Sequence, residues 1–305
     1  MNPPATARKL PDSARFIDLS DYARPLAVLL ARQLRGTRVT APAVTALWVL
    51  IALAGAGCYV LGGYPAALVG AAAIQTKNIL DAVDGSLARL QNRPSRVGRF
   101  LDSISDAAIA AALAAAIGLA VARERPAAYA AALAAASLLL GLLQASLYNY
   151  YYVRYRGRHG GDATSSVVEK VSAADEEHYA GRPFALGLLR ILVFSYKWIY
   201  AWQDTLVQRL DRWAIGPLVM GGHNDLADKL RDDRAWLTAM SALGPGMQIL
   251  VLNLYTIAGV SDLTLALELY LWTVGLGGTL YATALLLRLR RAALRLSRQP
   301  AERRG

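Results

Sequence analysis

Four aspartates fall within 26 residues of this chain: Asp81, Asp84, Asp102 and Asp106, in the pattern D-x2-D-G-x2-A-R-x8-G-x3-D-x3-D. Gly85, Ala88, Arg89 and Gly98 fill its small and basic positions. On a helix, Asp81, Asp84, Gly85 and Ala88 differ by three, four and seven residues and share one face. Gly98, Asp102 and Asp106 step by four and share a face of a second helix. Joined by a turn near 92–97, an antiparallel pair would set Asp84 opposite Asp102 and Asp81 opposite Asp106, at two matched depths. Long apolar runs flank the stretch, and a charge buried in a membrane costs at least about 2.5–3.5 kcal/mol. Four carboxylates so placed call for a neutralising cation. Hard oxygen donors suit Mg2+ or Mn2+, and two such ions can clamp both oxygens of an in-line phosphoryl displacement. Gly85 and Ala88 leave room for a ligand to approach the backbone, and Arg89 offers a fork for a phosphate oxygen.

The stretch resembles the signature of the CDP-alcohol phosphotransferases (CDP-alcohol phosphatidyltransferases), integral membrane enzymes that make phospholipids with release of CMP. All eight signature positions match, over 26 of the 305 residues. The resemblance implies an all-α polytopic fold of six transmembrane helices, a homodimer, a dinuclear metal site and a CDP pocket open to the cytoplasm. By the same carry-over Asp81, Asp84, Asp102 and Asp106 bind metal, and Asp106 is also the general base. Asp84, Gly85, Ala88, Arg89 and Gly98 surround the nucleotide and its diphosphate. The donor is CDP-linked, such as CDP-diacylglycerol, and the acceptor is a hydroxyl. One departure stands at the start of the first span, where Thr40-Ala41-Pro42-Ala43 replaces the Thr-Pro-Asn often found in the family.

The elements that must position these residues are apolar blocks near 20 residues long, in a chain that is 55% hydrophobic and 18% charged. That is the composition of a membrane protein. The net charge of +11 would suit nucleic acid, but its distribution argues against such a partner. Lys and Arg collect before the first span, at Arg89–Arg99, at Arg154–Arg234 and after the last span. Only Arg123 and Arg125 occupy an opposing connection, and Lys77 lies inside a span. This segregation follows the positive-inside rule and predicts cytoplasmic termini and a cytoplasmic active site. The lone Cys58 excludes an internal disulfide, and residues 1–25 lack the apolar core of a cleavable signal peptide.

Three regions are expected: a tail and interfacial amphipathic helix (1–38), a six-helix transferase domain (39–291) with a cytoplasmic insertion (153–235), and a basic tail (292–305). The interfacial helix covers Ser13 to Arg35, interrupted at Pro25. The spans are Val39–Gly62, Tyr64–Arg89, Gly98–Ala122, Ala127–Tyr152, Trp236–Val260 and Leu263–Leu287. Gln144 is expected to hydrogen-bond to a neighbouring helix, and Glu268, far from the aspartates, to be structural. In the insertion, Phe184–Trp202 is nearly long enough to span. Arg190, Lys197, Asp204 and Asp211 recur every seven residues, however, and draw a polar stripe. This predicts an amphipathic helix on the surface or packed against the bundle. Lys77, four residues before Asp81, either leans into the aspartates or balances their charge. Arg154, Arg156 and Arg158 either receive a phosphorylated acceptor or anchor the membrane face.

Two other classes compete. Intramembrane prenyltransferases also use Asp-rich helices with Mg2+, but on motifs well separated in sequence and without the Gly-x2-Ala-Arg insert. An ion or proton transporter would carry polar residues through the depth of several spans, whereas the acidic residues here gather at one level.

Overall fold

The computed structural model describes residues 9–91, 96–161, 171 and 173–298. The chain is helical, with no strand among the described residues. Its helices are α1 (Arg24–Leu34), α2 (Ala41–Leu61), α3 (Tyr64–Leu90), α4 (Arg96–Val121), α5 (Ala127–Arg158), α6 (Ala173–His178) and α7 (Pro183–Met220). After them come α8 (Asn224–Arg231), α9 (Arg234–Ser241), α10 (Pro245–Ala258), α11 (Leu263–Trp272) and α12 (Gly278–Arg298). Proline opens α2, α3, α7 and α10 in the first turn, where its missing N–H breaks no helical bond.

By length and composition α2, α4, α5, α7 and the continuous run α11–α12 are able to cross a membrane. The pair α9–α10, bent by 45°, makes a sixth candidate. The protein is thus an all-α polytopic membrane protein. The aspartate-bearing α3 is less apolar than these because Lys77, Asp81, Asp84 and Arg89 load its second half, yet it packs along α2 more extensively than any other pair of helices. Small residues allow that approach: a Cβ on Gly70 would fall 2.9 Å from the Gly55 carbonyl oxygen. We call the end of the bundle where α3 stops and α4 begins the site end. At the opposite end Glu268 accepts from Arg125 at 2.7 Å and from the Tyr129 hydroxyl at 2.6 Å, the structural role expected for it.

Several sequence expectations need correction. Ser13–Arg35 is not one interfacial helix. It consists of two 3-10 turns (Asp12–Ala14 and Leu19–Asp21) and then α1, which Pro25 opens rather than interrupts. The segment from Lys9 to Tyr22 is a strap across the site end. Ala14 accepts from the Tyr155 hydroxyl at 2.9 Å, Asp18 from Tyr148 at 2.5 Å, and Leu19 donates to Ser241 at 2.8 Å. Ser20 accepts from the Gly246 N–H at 2.9 Å. The fifth span is broken between Ser241 and Pro245, because proline cannot donate to the preceding turn. The helix of the sixth span, expected over Leu263–Leu287, continues to Arg298 through a π-helical turn at Thr273–Gly277. Gln144 of α5 donates to the Val274 carbonyl at 2.8 Å in that turn.

The 38-residue α7 lies across the site-end half of the bundle. Its first half meets α4, with Tyr196 edge-on to Phe100 at 5.2 Å and the Tyr200 hydroxyl on the Ser103 carbonyl at 3.0 Å. Its second half meets α5 and α12, through Ser146 to Gln203 at 2.8 Å and Arg290 to the Trp213 carbonyl. The heptad stripe is not wholly solvated: Arg190 and Lys197 are exposed, but Asp211 is 1% exposed. Asp211 is held by Arg231 at 2.6 Å and by the hydroxyls of Tyr150 and Tyr151, each at 3.1 Å. A buried carboxylate survives only with such partners.

Candidate active site

The helices α3 and α4 bring three of the four signature aspartates together. Asp81, Asp102 and Asp106 each offer a carboxylate oxygen, and the three oxygens lie within 4.8 Å of one another. Asp102 Oδ1 is buried and meets no hydrogen-bond donor. An orphaned buried carboxylate oxygen beside two further carboxylates fits a hard divalent cation.

Asp84 stands apart from that trio. It accepts from the Thr45 hydroxyl at 2.7 Å and the Trp48 indole N–H at 2.8 Å, both at Oδ2. The matched-depth pairing of Asp84 with Asp102 is thus replaced by a trio about Asp81. Three residues of helix turn Asp84 about 60° away from Asp81, toward α2. Neither Thr45 nor Trp48 carried a signal in the sequence, since each reads as an ordinary member of the first span. Gly85 has no atom within 4 Å of a built Cβ except the guanidinium of Arg89, at 3.6 Å, which folds back along its own helix. Ala88 and Gly98 are half-buried on the two helices beside the gap at 92–95, residues outside those described.

Lys77 does both things considered for it. Its ammonium leans into the trio, 2.8 Å from Asp81 Oδ2 and in contact with Asp106 Oδ1, and it is 6% exposed. Its other side faces the Trp48 ring at 4.6 Å. Lys77, Thr45 and Trp48 therefore tie the aspartates of α3 and α4 to α2.

The three arginines at the end of α5 do not act as one group. Arg154 and Arg158 turn to α8, where Arg154 meets Asp228 at 2.7 Å and Arg158 meets Asp228 and, at 3.2 Å, Asp232. Burial pushes the Asp228 carboxyl up, but hydrogen bonds from Arg158 and Arg154 outweigh it and hold it below the usual range. Arg156 points the other way, into the protein, because two residues of helix rotate it about 200° from each neighbour. A cleft of about 420 Å³ opens beside the end of α3, lined by Arg35, Thr37, Arg38, Val39, Thr40, Leu90 and Gln91. It includes Thr40, where the family's Thr-Pro-Asn is altered.

Fold and site together define a polytopic helical membrane protein with a carboxylate trio and a buried lysine at one end of the bundle. A family model for CDP-alcohol phosphatidyltransferase matches residues 28–207, more than half of the chain, and the protein belongs to that family. It is a transferase of phospholipid biosynthesis that acts on CDP-alcohols. Comparison with curated proteins gave no match.

Proposed function

We propose that the protein transfers a phosphatidyl or phosphoalcohol group from a CDP-linked donor, such as CDP-diacylglycerol, to a hydroxyl acceptor, with release of CMP at the cytoplasmic face. The observation that carries this reading is the Asp81–Asp102–Asp106 trio with its unpartnered Asp102 oxygen, with Gly85 one helical turn and Arg89 two turns beyond Asp81 on the same helix. Membership of the family favours it over the prenyltransferase and transporter readings.

Mg2+ or Mn2+, as two ions, would be held by Asp81, Asp102 and Asp106 with Asp84. When bound, such ions offset the charge of the donor diphosphate and of departing CMP. Arg89 contributes a fork to a phosphate oxygen, while Gly85, Ala88 and Gly98 keep the approach open. Asp106 takes the proton of the acceptor hydroxyl. The acceptor oxygen forms its bond to the phosphorus distal to cytidine, and the bond from that phosphorus to the CMP oxygen breaks. Lys77 balances Asp81 and Asp106 before donor enters. Homodimer assembly is part of the same proposal, by analogy with the family.

The test is Asp106→Asn beside Asp81→Asn, with CDP binding and CMP release measured on both. Asp106→Asn should keep Mg2+-dependent CDP binding while turnover falls about 10²–10⁴-fold, the usual worth of a general base. Asp81→Asn should lose binding and turnover together. Near-normal turnover in Asp106→Asn removes the proposed base.

A further inference from the structure

The first half of α7 is apolar on two opposite faces. Leu189, Leu192 and Val193 are buried against the protein. On the far side Phe184, Ile191, Phe194, Trp198 and Trp202 step by seven, three, four and four residues and share one face. All five are exposed, Phe194 at 65% and Trp198 at 78%. One edge between these faces carries charge, with Arg190, Lys197 and Asp204 at seven-residue spacing. A helix apolar on both faces needs two apolar partners, and the bundle supplies one. A row of exposed aromatic side chains this long marks a contact surface.

The level of this face follows from what α7 packs against. Tyr196 and Tyr200 meet Phe100 and Ser103, in the first eight residues of α4. Gln203 meets Ser146, twelve residues before α5 ends. Asp211 then meets Tyr150 and Tyr151, eight and seven residues before that end, and Trp213 meets Arg290, eight before the end of α12. A helix that crossed the bilayer would move steadily away from the site end, whereas α7 dips and returns. Its 38 residues also extend about 57 Å, nearly twice the hydrocarbon core of about 30 Å. The charged edge is wet, since Arg190 reaches the exposed Glu176 of α6 at 3.1 Å. Lys197 meets no carboxylate among the described residues.

We infer that the exposed Phe184–Trp202 face of α7 is seated in the lipid bilayer, at the headgroup–acyl boundary of the leaflet on the site end, and that this seat holds the start of α4 in place. Trp198 and Trp202 suit that level, where a ring sits in hydrocarbon and its indole N–H among headgroups. The unpaired Lys197 extends along the wet edge to a lipid phosphate. Leu101, next to the Phe100 that α7 covers, is exposed and brings the lipid-facing surface of α4 to the same level. The α7 face thus continues a surface that already meets lipid. It bears on the candidate site because the Tyr200 hydroxyl donates to the carbonyl of Ser103, the residue after Asp102. Lipid on one face of α7 keeps its other face against the segment that carries Asp102 and Asp106.

The test uses the full chain with Cys58→Ser in phosphatidylcholine nanodiscs, carrying one nitroxide label through Phe194→Cys, Trp198→Cys or Glu176→Cys. Labels at positions 194 and 198 should collide with dissolved oxygen, be shielded from a water-soluble nickel chelate and lie about 5–10 Å into the headgroup–acyl boundary. The label at position 176 should meet nickel freely. Equal access of nickel to all three positions overturns the lipid seat. So does a depth near the bilayer midplane, which would make α7 a span. Dipolar broadening that vanishes on dilution with unlabelled chain would assign the face to a second copy and overturns it as well. The hold on α4 is read by amide hydrogen exchange in the same discs. Phe194→Gln combined with Trp198→Gln should remove protection from residues 96–106 and spare residues 41–61 of α2. Trp198→Phe, still apolar, should keep that protection. Unchanged protection of 96–106 in the double variant, loss that extends equally to α2, or the same loss in Trp198→Phe overturns the hold on α4.

Discussion

Lys77 shows how one side chain keeps the carboxylates together. Its ammonium bridges α3 to α4 through Asp81 and Asp106 while Trp48 of α2 covers it. Removing one partner of a buried ion pair leaves the others uncompensated, at a cost of about 3 kcal/mol. Lys77→Met should therefore lower the Tm of metal-free protein, and added Mg2+ should restore more of it than it adds to the wild type. Equal Mg2+ shifts in the two proteins would separate Lys77 from the metal positions.

The strap is the element that the site end depends on most. It touches α5 through Tyr148 and Tyr155, α9 through Ser241, α10 through Gly246 and α3 through Tyr22, whose hydroxyl donates to Gln75 at 2.8 Å. Asn253 of α10 donates to the same Gln75 oxygen at 2.9 Å, so one side chain links strap, α3 and α10. The seat of the strap is the break between α9 and α10, where a Cβ on Gly246 would fall 1.9 Å from the Ser20 carbonyl oxygen. Gly246→Ala should unseat the strap and cost about 1–3 kcal/mol, as overpacking does. Limited trypsin digestion should then cut at Arg15 or Arg24 sooner than in the wild type. An unchanged digestion pattern would mean that the strap tolerates the added methyl.

Across the whole bundle, the end of α5, the end of α12 and the strap all meet at the site end, where Leu289, Ala293, Tyr155 and Ala14 share one core. Gly157 and Arg298 are exposed there and should lie on one side of the membrane. The positive-inside distribution predicts that side to be the cytoplasm. Cysteines placed at Gly157 and Arg298 should react with an impermeant maleimide only after the membrane is opened. Labelling of either in intact cells would overturn the cytoplasmic orientation.

The candidate aspartate site was legible in the sequence because it rests on local spacing. Steps of three and four along α3 and α4 place the aspartates, Gly85 and Arg89 whatever the rest of the chain does. The long apolar blocks likewise determined an all-α membrane protein, because nothing but helices satisfies their backbone in lipid. The remainder depended on contacts far apart in the chain. Asp84 turned to Thr45 and Trp48, 39 and 36 residues away, and no local pattern marks those two as its partners. Arg154, Arg156 and Arg158 look alike in sequence, but α8 supplies carboxylates to the outer two and the strap brings a lysine to the middle one. Lys9 lies 147 residues before Arg156. Only the packing of the strap across the bundle decides that the two residues meet, on either side of Gly161.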